Sequence, residues 1–292
     1  MSGGAESRAM AAALALVSAL FYGVSDFSGG LAARRVPATT VVLLSNSLSF
    51  LLALLAVIFL PGSSYVASDL AWGVASGAVG LVGVVLLYRG LAMGPMSVVA
   101  PLTAVLSAVV PVVVGTARGE RPGTVAVVGI ALAVPAMVLL GREPRRMVNA
   151  PLRRGALVSA LCAGVGFGGF YVLLAQTGTT GGAWPLVGQR AASVAILLVL
   201  AAVATARHSG TRPPRGSVLR LATIAGVTDF AANLSYVLAT HRGLLALVAV
   251  ISSLYPATTL LLARGVLKER VGRQQGIGLL LAVLAVALIA FR

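Results

Sequence analysis

Charge is scarce in this chain. Of its 292 residues only 10% are Asp, Glu, Lys or Arg, where a soluble domain carries about 25%. Acid is scarcest of all: seven carboxylates stand against 22 Lys and Arg. That supply cannot clothe a chain of this length in a water-soluble surface. It excludes an ordinary cytosolic enzyme, and the apolar content excludes a disordered chain. One cysteine, Cys162, allows no intramolecular disulfide and no multi-cysteine metal site. The two histidines, His208 and His241, lie far apart near the ends of apolar runs, so no metal centre is expected. No H-E-x-x-H and no G-x-S-x-G is present. A G-x-G-x-x-G does occur at Gly164, Gly166 and Gly169. It sits inside an apolar run with no strand before it, so no nucleotide and no other cofactor is expected.

What the chain has instead is hydrocarbon. It is 59% apolar, carries 34 glycines and has a mean hydropathy of +1.00. A bilayer core of about 30 Å takes about 20 helical residues to cross. Ten such runs are legible, at roughly 9–33, 38–60, 69–91, 95–117, 122–141, 154–177, 183–206, 217–240, 243–264 and 272–291. Pro37, Pro61-Gly62, Gly94-Pro95, Pro122-Gly123, Pro151, Pro185 and Pro213-Pro214 punctuate the gaps. The runs are apolar on every side rather than alternately, which predicts helices and not barrel strands. Arg8 and the run after it resemble a signal peptide, but the run outlasts a signal-peptide core and its pattern recurs later. The net charge of +15 would suit nucleic acid if it formed a stripe on a soluble domain. Here the basic residues fill the gaps between runs, so the partner is the bilayer and not a nucleic acid.

The chain repeats itself. Leu16-Val17-Ser18-Ala19-Leu20, with Gly23-Val24 behind it, recurs 141 residues on as Leu157-Val158-Ser159-Ala160-Leu161 with Gly164-Val165. Glu120-Arg121-Pro122-Gly123, Gly129 and Leu132-Ala133-Val134 recur 149 residues on as Glu269-Arg270-Val271-Gly272, Gly278 and Leu281-Ala282-Val283. The expectation is one all-α integral membrane protein of ten transmembrane helices, built as five helices used twice, over 9–141 and 154–291. Five is odd, so the second copy crosses in the opposite sense. An inverted repeat of this kind gives two near-equivalent conformations around a midplane site, the geometry that alternating access needs. Sixteen Arg and Lys fall in or beside the odd-numbered links and five with the even links and the termini. The positive-inside rule then sets both termini outside.

Few polar side chains interrupt the runs. Asp26 in the first and Asp229 in the eighth are carboxylates well inside apolar sequence, each costing about 2.5–3.5 kcal/mol unless wet or paired. Tyr22 shares a face with Asp26, and Asn233 and Tyr236 share one with Asp229, at helical spacings. An acid beside a phenol can hold a substrate ammonium or carry a coupling proton; it can also simply clamp two helices together. Arg190 is the basic residue deep in the seventh run. It can pair with either acid, take a substrate carboxylate, or snorkel to the interface. Pro101, Pro111 and Pro256 fall in the fourth and ninth runs, which correspond across the repeat, and are candidate hinges. Tyr255 is a candidate cavity wall. Gly73, Gly77 and Gly80, like Gly164 and Gly168, form small-residue stripes suited to close helix packing.

These features together resemble the EamA-type transporters of the drug/metabolite transporter superfamily. The likeness lies in two copies of a proline-bearing helix running into Glu-Arg and then a glycine-rich helix: Ala100-Pro101 and Pro111 through Gly119-Glu120-Arg121 and Gly123, and Pro256 through Gly265-Val266-Leu267-Lys268-Glu269-Arg270 and Gly272. The resemblance implies a ten-helix inverted repeat in a bacterial inner membrane that moves small organic solutes, commonly outward, and that is not an enzyme. It also implies cytoplasmic termini, against the charge bias. Two other readings differ in what they require. A scaffold would show an apolar, closed midplane, and an intramembrane enzyme would need a nucleophile and base in one cavity.

Overall fold

Where the sequence runs apolar on every side, the chain is helical in the computed structural model, which describes residues 2–59, 64–93, 96–141, 154–207, 216–268 and 271–290. Eleven helices follow one another among the described residues: α1 (Ser2–Ala33), α2 (Ala38–Phe59), α3 (Ala67–Met93), α4 (Met96–Ala117), α5 (Thr124–Leu140), α6 (Arg154–Leu174), α7 (Trp184–Arg207), α8 (Gly216–Thr240), α9 (Leu245–Ser252), α10 (Tyr255–Leu267) and α11 (Arg273–Ala290). No strand occurs among the described residues. Several expected features lie outside these residues: Pro61-Gly62, Gly94-Pro95, Pro151, Pro213-Pro214, His208, the Glu269-Arg270 pair, and part of the basic links.

The ninth span departs from expectation. One continuous helix over 243–264 is predicted; the chain breaks at Ser253 and Leu254, and α9 and α10 share the crossing Leu245–Leu267. Local bonds close the break, with Ser253 N–H donating to the Ala249 carbonyl at 2.9 Å and Ala257 N–H to the Leu254 carbonyl at 2.9 Å. Pro256 lies in the first turn of α10, where its missing N–H costs nothing. The hinge read at Pro256 is therefore a break just before it. Pro101 and Pro111, by contrast, lie inside a continuous α4.

The duplication is visible in reciprocal contacts. A Cβ built on Gly129 of α5 would meet the Ala285 carbonyl oxygen at 2.9 Å and Leu288 Cβ at 3.2 Å. One built on Gly278 of α11 would meet the Ala136 carbonyl oxygen at 3.2 Å and Leu139 Cβ at 3.0 Å. All three pairs are separated by the 149 residues of the repeat. That is the signature of a twofold contact, in which each surface meets its own copy. Gly77 and Gly226 form another such pair, packed on the backbone carbonyls of Gln189 in α7 and Ser45 in α2. Likewise α1 packs along α8 as α6 packs along α3, and α2 meets α7. Lipid supplies no hydrophobic drive between helices, so this backbone-to-backbone approach carries the association.

One end of the bundle is tied shut. The N-cap of α9 is Leu244, which has no capping side chain. The α4–α5 link supplies one: Glu120 Oε1 accepts from Leu245 N–H at 2.7 Å and Oε2 from Ala246 N–H at 3.0 Å. A carboxylate there also answers the positive end of the helix dipole. Around it, Arg118 donates to Gln176 Oε1 at 2.6 Å, Ser7 Oγ to the Arg242 carbonyl at 3.0 Å, and Gly178 N–H to Asp69 Oδ1 at 3.0 Å. His241 Nε2 lies 2.9 Å from the Thr177 carbonyl, so this nitrogen carries the proton. Burial holds the His241 pKa below its usual value against the opposing pull of that carbonyl, which keeps the ring neutral at pH 7.

Two outcomes follow from these contacts. Gly77→Val forces α3 off the α7 backbone and costs about 1–3 kcal/mol, read as a lowered thermal midpoint in detergent; an unchanged midpoint contradicts the close approach. Glu120→Ala removes the α9 cap, costs about 0.5–2 kcal/mol, and speeds hydrogen exchange at the Leu245 and Ala246 amides ahead of those in α5.

Candidate functional site

The spacing Tyr22, Ser25, Asp26, Gly29, Gly30, Ala33 is one face of α1, and all six line a cavity of about 270 Å³ in the middle of the bundle. Opposite stand Ala38, Val41, Val42, Ser45 and Asn46 of α2. Gly77, Gly80 and Leu81 of α3 continue the wall to Leu87, and Phe167, Phe170 and Tyr171 come from α6. Gln189, Arg190 and Ser193 of α7, Ala225 and Asp229 of α8, and Tyr255 at the start of α10 complete it with Ser107 of α4. The lining runs from Tyr22 down to Ala33 and Ala38, beside the α1–α2 link. The cavity thus reaches toward the end of the bundle opposite the tied loops.

Its floor is aromatic. The Tyr22 ring meets Tyr171 edge-on at 6.2 Å and Tyr255 at 6.4 Å, while Tyr171 lies 4.7 Å from Tyr236. Tyr236 is fully buried and donates its hydroxyl to the Tyr171 carbonyl at 3.1 Å. The break in the ninth span places Tyr255 here, at the first residue of α10.

The charges are distributed unequally. Arg190 Nη2 lies 2.6 Å from Asp229 Oδ2, and Arg190 Nη1 donates to Asn46 Oδ1 at 3.1 Å. Asp229 Oδ2 also accepts from Ser49 Oγ at 3.2 Å, and Oδ1 from Asn233 Nδ2 at 3.3 Å. Arg190 is only 7% exposed, so it does not snorkel; three helices hold it at depth. Asp26 is different. It lies on the cavity wall, exposed, and makes no hydrogen bond or ion pair among the described residues. Of the sequence-predicted residues, then, Tyr22, Asp26, Arg190, Asp229 and Tyr255 come together around one space.

Asn233 and Tyr236 do not line it. The helical face they share with Asp229 carries them past the floor into protein, where Asn233 is 1% exposed. There Asn233 Oδ1 accepts from Tyr22 OH at 2.9 Å and from Gln189 Nε2 at 3.0 Å. It positions three wall residues from behind. The sequence reading passed over Asn46, Ser49, Tyr171 and Gln189. Asn46 and Gln189 had a signal, being amides within apolar runs. Tyr171 had none, since an aromatic ring in a membrane helix is ordinary packing. The Gly164–Gly169 stretch packs on α4 and α3: Gly164 against Leu106, Gly168 against Val110 and Gly166 against Gly83.

The sequence profile of the EamA-like transporter family matches residues 9–142 and again 154–291. A crystal structure of a protein superposes on this chain with a TM-score of 0.74 over 95% of each chain, at 19% sequence identity, which is a likeness of fold. No curated protein matches the sequence.

The ion pair generates the outcome to check here. Arg190→Met strands the Asp229 charge and costs about 3–5 kcal/mol, whereas Arg190→Met with Asp229→Leu recovers most of that loss. Thermal melts of the two variants in detergent read it; equal destabilisation by both would mean the pair is not the source.

Proposed function

The chain belongs to the EamA-like transporter family, and from that premise we propose that it carries a small organic solute across the membrane by alternating access, with the cavity around Asp26 as the carrying site. The observation behind this reading is the one-sided space: a chamber holding Asp26, Arg190 and Asp229 reaches one end of the bundle while bonds through Glu120, Asp69 and His241 close the other. Reciprocal packing of the two halves supplies a second arrangement of nearly equal energy, with the opposite end closed. The charge bias of the links supports a cytoplasmic position for the end the cavity reaches, and so outward movement of cargo.

Coupling to protons is part of the proposal. Among the described residues Asp26 has no hydrogen-bond or ion-pair partner, so a proton or a cargo cation can occupy it in turn. The first step lifts the charge before the site turns through the dry midplane. Asp229 is held by Arg190 and Ser49 and serves as a fixed strut.

A flux assay tests this. Vesicles carrying the protein are loaded with a mixture of amino acids, organic amines and organic acids, and solute loss is followed by mass spectrometry under an imposed pH gradient. At least one solute leaves faster than from empty vesicles. Its loss stops when Gly30→Cys, in a Cys162→Ala background, is blocked with a bulky maleimide at the cavity wall. Equal loss from empty and protein-bearing vesicles for every solute overturns the reading.

A further inference from the structure

Within the proposed carrying site, the wall is electrically lopsided in a way that specifies the cargo. Asp26, Arg190 and Asp229 are its charged residues among those described. Arg190 spends its charge on Asp229 and a second donor on Asn46, and is too buried to offer more. Asp229 is already paired with Arg190 and accepts from Ser49 and Asn233. What remains unanswered among the described residues is the Asp26 carboxylate. A second group is also unanswered: Gln189, 1% exposed and on the wall, donates through Nε2 to Asn233, while its Oε1 is buried with no donor among the described residues. Buried acceptors without donors are rare and costly. Both groups are acceptors, and N–H donors suit both.

We propose that the cargo is a primary organic ammonium ion with an aromatic or apolar body, its charge set against Asp26 and its N–H donors shared between Asp26 and Gln189 Oε1. The body packs among Tyr22, Tyr171, Phe170 and Tyr255, whose ring faces also attract a cation. A zwitterion brings a carboxylate for which the one cation on the wall is already paired. An acid meets Asp26 directly and is repelled. The order of preference is amine, then amino acid, then acid.

This rests on the transport reading only for the location of the site, and binding is measured without transport. Isothermal titration of the purified full-length protein in detergent, at neutral pH, compares phenethylammonium, its N-trimethyl derivative, phenylalanine and 3-phenylpropionate. Phenethylammonium binds more tightly than phenylalanine by at least about tenfold, 3-phenylpropionate does not bind, and the trimethyl derivative, lacking N–H, is weakened by about tenfold. Asp26→Asn abolishes amine binding with an unchanged melting temperature, and Asp26→Glu retains it. Tighter binding of phenylalanine or 3-phenylpropionate, no amine binding, or binding indifferent to Asp26→Asn overturns the cation assignment. Transport itself then stands or falls on the flux assay, where the solute that leaves would be the amino acid or the acid.

Discussion

Charge in a low-dielectric interior must be answered, and the arrangement of the cavity follows from how each charge is answered. Arg190 and Asp229 meet at 2.6 Å between α7 and α8, and Asn46 and Ser49 bring α2 to the same point. A lone ion at such depth is costly, so the pair draws three helices from two repeats onto one locus. Asn233 extends the network to Tyr22 and Gln189. Against that neutralised background, a cavity carboxylate without an ion pair among the described residues acquires meaning. Asp26 is conspicuous because the other charged groups on the cavity wall, Arg190 and Asp229, are paired with each other.

The rest of the scaffold holds this polar centre in place. Its helices meet through glycine: Gly77 on Gln189, Gly226 on Ser45, Gly129 and Gly278 on each other's helices. Such contacts are largely dispersion between backbones, joined by serine bonds such as Ser193 Oγ to the Gly77 carbonyl at 3.3 Å. At one end the directional bonds join the links between helices, Glu120 to α9 and Asp69 to Gly178. The ninth span is split at Ser253 and Leu254, which brings Tyr255 to the cavity wall.

Much of the fold was legible beforehand because the bilayer imposes a length and a composition that the eye can count. The runs at 38–60 and 217–240 match α2 and α8 closely. Gly129 and Gly278, matched by register alone, meet each other's helices as true symmetry mates. The site was legible in its charges, since an acid or a base among leucines is visible in any order of reading. The break after Ser252 was not. No glycine stands at Ser253 or Leu254, and Pro256 suits equally a kink in a continuous helix and the start of a new one. Asn233 and Tyr236 were correctly placed on the face of Asp229, but helical spacing cannot say where along that face the cavity ends.

What the sequence determined by itself is therefore the medium, the count of crossings and the inverted duplication, because hydropathy and repetition are properties of a string. It determined as well which ionisable groups must lie at depth. Which of them pair, and which is left over, only the tertiary structure decided. Arg190 stood equally available to Asp26 and Asp229 in the linear chain, and the choice fell to Asp229 because α7, α8 and α2 converge on it. A pairing is a matter of a few ångströms between helices far apart in sequence, and no periodicity carries that distance.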